Sequence, residues 1–329
     1  MTADPLSIGR MTSGAVASGW TRPDGRRTLQ LVLATIWLID GVLQLQSYFF
    51  TKDFGLRMIS GMSSGNPSFI AHPINWSGAT IGRHSMLVNT LFALIQITIG
   101  LAIAFRPAVR IGLGASIVWS AGVWWVGEGL GGVLNGQANP VNGAPGAVLL
   151  YALVAVLLWP SDRPARPAPF IAARAVGAPT ARALWLVLWG SLAYFALVGA
   201  HRSSRGLHDL ILGEAPGEPG WVAWIDRHAA SLVDHRGLAV MVVLAVLLAV
   251  VAVGVYGPSR LGNAALVLAV VLSVVVWVVG EDFGTVFTNA ATDLNSGPLL
   301  VLVAAAYWRP SPRVGPAPAI EPAVNLGGT

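Results

Sequence analysis

The segment WWVGEGLGGV (Trp124–Val133) returns as WVVGEDFGTV (Trp277–Val286), offset by 153 residues. Each copy sets a glutamate, Glu128 or Glu281, behind an apolar run carrying Trp and Gly. A second ionisable pair, His84 and His235, recurs at an offset of 151. Imidazole and carboxylate at matching places suit a metal ion, a haem or a quinone headgroup, and they equally suit a role limited to capping and tying helices. His84, Glu128, His235 and Glu281 are therefore the candidate metal ligands. Asp40, in LVLATIWLIDGVLQLQSYFF, is the only acid well within an apolar run, and Gln44 and Ser47 continue a polar stripe along one helix face. Such a carboxylate faces a cavity or the bundle interior and marks a functional position, or, protonated, ties two helices together. Asn142 and Asn295, again 153 apart, stand before the last apolar run of each copy. Their amides could satisfy backbone groups freed where a span is interrupted. With His84, His235 and Asp40 they complete the candidate cofactor-binding set. There is no cysteine, which excludes disulfides and thiol chemistry.

The elements that must hold these residues are apolar. The 329-residue chain is 54% apolar and 11% charged, against about a quarter charged in ordinary soluble domains. The composition predicts an all-α polytopic membrane protein, since about twenty apolar residues cross a bilayer as a helix. Apolar runs fall at 29–50, 86–105, 110–127, 145–160, 183–200, 237–256, 261–280 and 298–308. They give about eight transmembrane helices in two parallel four-helix repeats, 28–160 and 181–308. The repeats are flanked by cytoplasmic tails, 1–27 and 309–329, and joined by a Pro/Arg-rich linker, 161–180. With both termini inside, thirteen Lys and Arg lie on the inner side and seven on the outer, as the positive-inside rule asks. The basic residues form no patch interleaved with aromatics, so no nucleic-acid partner is implied. Their bias toward arginine fits a bacterial plasma-membrane protein whose first partner is lipid.

In this topology all six histidines lie on the outer side. His84 and Glu128 sit at heights about 6 Å apart on neighbouring spans, counting 1.5 Å per residue from their shared inner turn. A helix N-terminus keeps His84 or His235 neutral and able to bind a metal, while a helix C-terminus makes Glu128 or Glu281 seek a cation or a donor. His228 and His235 are expected on one helix face. The last run of each copy is short, which predicts an interrupted span near a binding site or a helix that begins earlier. The outer segments 51–85 and 201–236 read as a partly ordered cap, with Trp221, Trp224 and Ile225 in the membrane interface.

The phrase IWLIDGVLQLQ, followed by a polar segment and three more spans, resembles the DoxX/DoxD-like family of small four-helix membrane proteins, here as a tandem pair. Some members are subunits of thiosulfate:quinone oxidoreductase. The resemblance implies an accessory role in membrane redox chemistry, near a quinone or an outer-face electron donor and beside other subunits of a redox complex, with Asp40 as a candidate functional residue. The lack of cysteine departs from relatives that work through thiols. Three further readings stand beside this one. The chain could be a transporter of small solutes or ions with a pathway between the repeats, or a structural subunit without a ligand. It could also be an enzyme acting on a lipid-linked substrate with His84 or His235 as base, although no nucleophile or phosphate loop is present.

Overall fold

Long apolar runs without internal breakers give the main helices, and clusters of Gly, Pro and polar residues end them. The computed structural model describes residues 24–161, 168–198 and 203–309. Most of both expected tails, His201 and the middle of the expected linker lie outside these residues. The described residues contain helices and turns but no strand. In chain order the helices are α1 (Gly25–Leu43), α2 (Ser68–Arg83), α3 (Ser85–Ala104), α4 (Val109–Val126), α5 (Ala147–Leu157), α6 (Ile171–Val176), α7 (Ala178–Leu197), α8 (Gly206–Glu214), α9 (Gly220–Val233), α10 (Gly237–Gly254), α11 (Ser259–Val279) and α12 (Ser296–Ala306).

Five helical segments are long and apolar enough to cross a membrane: α3, Arg106–Val126 (α4 with the turn before it), α7, α10 and α11. α1 is long but carries Arg26, Arg27 and Asp40, and α5 and α12 have only 11 residues each. Large apolar side chains on α3, α4, α10 and α11 point outward without a protein partner, among them Leu94, Leu101, Val118, Val246 and Val271. A contiguous apolar exterior of this kind suits lipid.

The two halves pack alike. α1 lies along α3 and α7 along α10; α4 packs on α5 and α11 on α12; and α5 meets α12 across the middle. A continuous core runs through both halves, with Trp37, Tyr151, Trp185, Trp189 and Tyr307 among its largest side chains. At the end where short turns join α3 to α4 and α10 to α11, two arginines cap helix C-termini. Arg27 donates to the Ile103 carbonyl at 2.9 Å and to that of Ala104, and Arg309 donates to the Gly257 carbonyl at 3.1 Å and to that of Val255. Cations there meet both the unpaired carbonyls and the negative end of the helix dipole. The opposite, loop-rich end carries α2, α8, α9 and the segments 127–146 and 280–295.

Several local expectations change. The apolar run 29–50 is not one helix: α1 stops at Leu43, and Ser47–Phe50 forms a 3-10 turn behind the polar pair Gln44 and Gln46. The expected linker contains α6, held by an ion pair from Arg174 to Asp24 at 3.2 Å. α9 turns Asp226 into the protein and leaves Trp221 and Trp224 half exposed. Because α9 ends at Val233, His228 and His235 share no helix face.

Candidate functional site

The repeated WxVGE phrase builds the same local structure twice. Gly129–Gly132 and Asp282–Thr285 each run through four successive residues with positive φ, one turn of left-handed backbone. The first copy fills that turn with three glycines and Leu130. The second places only Gly284 there, with Asp282, Phe283 and Thr285, each costing about 1–2 kcal/mol in this conformation. The left-handed turn reverses the chain so that the following segment folds back on α4 or α11. The repeated tryptophan then holds it: the Trp124 indole N–H donates to the Pro145 carbonyl at 2.6 Å, and that of Trp277 to the Leu294 carbonyl at 2.8 Å. Each carbonyl lies just ahead of the short helix, α5 or α12.

The repeated glutamate meets the start of that helix. Glu281 accepts the Ser296 hydroxyl and the Gly297 backbone N–H, the latter at 3.0 Å. Burial pushes its carboxyl up to about 7, against the pull of these two donors. Glu128 is pushed up to about 8 by burial and then by the Asp293 charge, with the Val148 backbone amide acting in the opposite sense. Its Oε2 is buried and has no hydrogen-bond partner. The loop that Glu128 must span is four residues longer than its counterpart, so its fit to α5 is looser.

The loops cross between the halves. In one direction, Gly143 lies against Glu281 and Asn295, and Gly280 lies against the Val141 carbonyl; a Cβ at either glycine would collide. In the other, Asn289 donates to Ser47 at 2.6 Å and Gln46 accepts from the Ala291 amide at 3.1 Å. This return crossing carries Asp293 to the first half, where it bears on Asp40 and Glu128.

Between these parts lies a cavity of about 670 Å³. Its walls come from α1–α5, the Phe54–Ile59 turn and the 284–295 segment. Trp37, Phe54, Phe92 and Trp119 supply aromatic surface, and Asp40, Glu128 and Asp293 supply three carboxyl groups. No Lys, Arg or His lines it among the described residues. Asp40 is 2% exposed; its Oδ2 accepts the Tyr151 hydroxyl, the Leu294 backbone amide stands near the carboxyl, and Oδ1 makes no hydrogen bond within 3.5 Å. Asp293 is held by Thr292 at 2.9 Å and the Asn295 amide at 2.6 Å, and burial raises its carboxyl above the usual range. From the loop-rich end of α3, the cavity extends to Gln96, a depth of about 16 Å at 1.5 Å per residue.

No family model matches the chain, and neither does a curated protein or a solved structure.

The expected site residues divide. Asp40, Glu128, Asn142 and Asn295 all line the cavity, and Asn295 also accepts from the Ser296 amide at 2.8 Å. Glu281 stays outside it, engaged with α12. His84 does terminate α2 and begin α3, but it is exposed and makes no ion pair with Glu128 within 4.0 Å. His235 is also exposed; it faces Arg205 at 3.3 Å and Asp234 at 3.6 Å rather than Glu281. The helix starts that claim both glutamates explain why the imidazole–carboxylate pairs do not form. Among the described residues no group of three or more His, Asp or Glu is arranged to hold a metal ion. Tyr151 and Asp293 are the cavity residues that sequence reasoning missed. The signal for Asp293 was the scarcity of acids, 15 in all, in a chain of this length.

Proposed function

We propose that the protein is an eight-span plasma-membrane protein of two four-helix repeats inserted the same way up, with the loop-rich end outside, and that it binds a small molecule in the cavity as the outward-facing step of transport. The observation that carries this reading is Asp40: a buried carboxyl with one unsatisfied oxygen, on the wall of a chamber large enough for a ligand. Buried polar atoms without partners are costly, and they persist where a ligand or a proton completes them. The arginines capping the short-turn end support placing that end in the cytoplasm.

A quinone-linked redox role is the second reading. It draws on the Asp40–Tyr151 pair, in which the phenol donates to the carboxyl so that a protonated Asp40 would be the donor to a quinone carbonyl, and on the likeness to DoxX/DoxD-like proteins. The metal and haem readings draw no support from the cavity, because neither His84 nor His235 lines it.

The cysteine-free chain allows a direct test. Ser77→Cys and Thr292→Cys on the cavity wall should react with a membrane-impermeant maleimide added outside intact cells. Ser116→Cys, fully buried beyond the cavity, should not react from either side. Labelling of the two wall positions only from the cytoplasmic side, or from neither side, rejects an outward-facing site.

A further inference from the structure

Three carboxyl groups line one chamber, and among the described residues no basic side chain lines it with them. Asp293 is engaged by Thr292 and Asn295, whereas Asp40 Oδ1 and Glu128 Oε2 are buried without a hydrogen bond, although the Leu294 and Val148 backbone amides stand near the two carboxyls. An anion gains nothing in such a chamber, and a neutral ligand leaves both oxygens to be satisfied by protons. A cation completes them. A calcium ion asks for six to eight oxygen ligands, and among the described residues not even three His, Asp or Glu are grouped to hold a metal ion. The other walls are aromatic and thioether surface: Trp37, Trp119, Phe92, Phe54 and Met58. Such surface buries apolar substituents and attracts a delocalised positive charge to the ring faces.

We infer that the cavity takes a monovalent organic cation with apolar substituents, and that the cation enters in exchange for a proton carried on the Asp40–Glu128 pair. This deepens the proposed function and rests on it. The exchange balances: a carboxyl O–H gives up its proton to solvent, the cation takes its place against the carboxylate, and the net charge of the chamber is unchanged. The rise of the Glu128 carboxyl to about 8 supplies a group that still holds its proton near neutrality.

The probes are tetraphenylphosphonium, tetrabutylammonium and ethidium, with triphenylphosphine oxide as the neutral control, measured on the full chain in lipid nanodiscs. At least one cation should bind, weaken about tenfold per unit fall in pH below 8, and release about one proton per cation in weakly buffered solution. The double variant Asp40→Asn, Glu128→Gln should lose at least tenfold in affinity and release no proton. The amide replacements keep the shape of each side chain, and the Ser77→Cys labelling rate in that background reports whether the chamber is intact. If only the neutral control protects Ser77→Cys, or if cation binding ignores pH, the cation inference falls while the cavity reading stands. If the maleimide never reaches Ser77→Cys, both fall. Failure of all three cations to bind or to protect overturns the inference.

Discussion

The two copies of the glutamate should differ in what they do for stability, and the difference can be worked from their partners. Glu281→Ala strands the Ser296 hydroxyl and the Gly297 amide, both buried at the start of α12. A buried donor left without its partner costs about 1–3 kcal/mol, and loss of the anion at a helix N-terminus adds about 0.3–1 kcal/mol. The expected penalty is about 2–7 kcal/mol. Glu128→Ala removes a carboxyl whose Oε2 has no partner and whose nearest donor is the Val148 amide, so the penalty should be about 0–1.5 kcal/mol. Reversible unfolding of both variants in mixed SDS and mild-detergent micelles, followed by far-ultraviolet circular dichroism, measures the gap. Equal penalties, or a larger one for Glu128→Ala, would refute the assignment of Glu281 as the anchor of α12. The pH dependence carries a second check. A carboxyl raised by folding holds its proton in the native state after the unfolded chain has lost it, so its contribution is intact below about 4.5. That contribution is then lost as pH climbs, through about 7 for Glu281 and about 8 for Glu128. Each group can remove at most about 1.4 kcal/mol per pH unit. Glu128→Gln should flatten the fall between pH 7 and 8 while leaving the Glu281 part in place.

Three further outcomes follow from other parts of the molecule. Asp226 on α9 and Asp282 in the second left-handed turn are fully buried and interact with each other, and burial, then the Asp226 charge and then the Glu218 and Glu214 charges raise Asp282, while Arg227 acts on Asp226 in the opposite sense. A proton shared between the two carboxyls would relieve their repulsion, so Asp282→Asn should raise the melting temperature at pH 8 more than at pH 5; an equal effect at both would exclude a shared proton. Thr285 occupies a left-handed position that Gly132 fills in the first copy, so Thr285→Gly should stabilise by about 0.5–1 kcal/mol in the same micellar titration and Gly132→Thr should destabilise by about 1–2 kcal/mol. Trp277→Phe deletes the hydrogen bond to Leu294 but keeps the ring against Phe283; a loss of about 1–2 kcal/mol is expected, and a loss below 0.5 kcal/mol would show that ring packing alone holds the loop.

Much of the scaffold was legible because lipid-facing helices write long apolar runs, and α3, α4, α7, α10 and α11 stand close to where those runs fall. Asp40 was legible for the converse reason: a lone acid in such a run has few explanations. The meaning of the repeated glutamates was not, because a carboxylate capping a helix start and one binding a metal leave the same letters. What separates them is the loop between. The first-copy loop is longer, so the offset of 153 that aligns Glu128 with Glu281 becomes 149 at the helix starts Ala147 and Ser296. Asn142 and Asn295 are therefore not structural equivalents, although both reach the cavity. Asp293 could not be placed from sequence, since it acts on the half of the protein to which it does not belong. Asp226 was hidden by its helix, where half-exposed tryptophans suggested the opposite face as the buried one.

The two halves share a pattern of helix packing, but the Asp40–Tyr151 pair stands in only one of them. The offset of 153 that relates the starts of α1 and α7 puts Ala193 opposite Asp40, and the offset of 149 that relates α5 to α12 puts Leu300 opposite Tyr151. Both replacements are buried and apolar. The hydrogen-bonded acid and phenol of the first half are thus matched by hydrocarbon in the second, which removes the need for a ligand or a proton there. The second half acts instead through its loop, which crosses over to add Asp293 and Asn295 to the first half's wall. Its tighter anchoring, with Glu281 doubly engaged and Trp277 holding Leu294, keeps that loop at a fixed distance from Asp40. The second half thus supports, through Glu281 and Trp277, the loop that places Asp293 on the same wall as Asp40. For that reason, loosening Glu281 should weaken binding in a cavity that Glu281 does not touch.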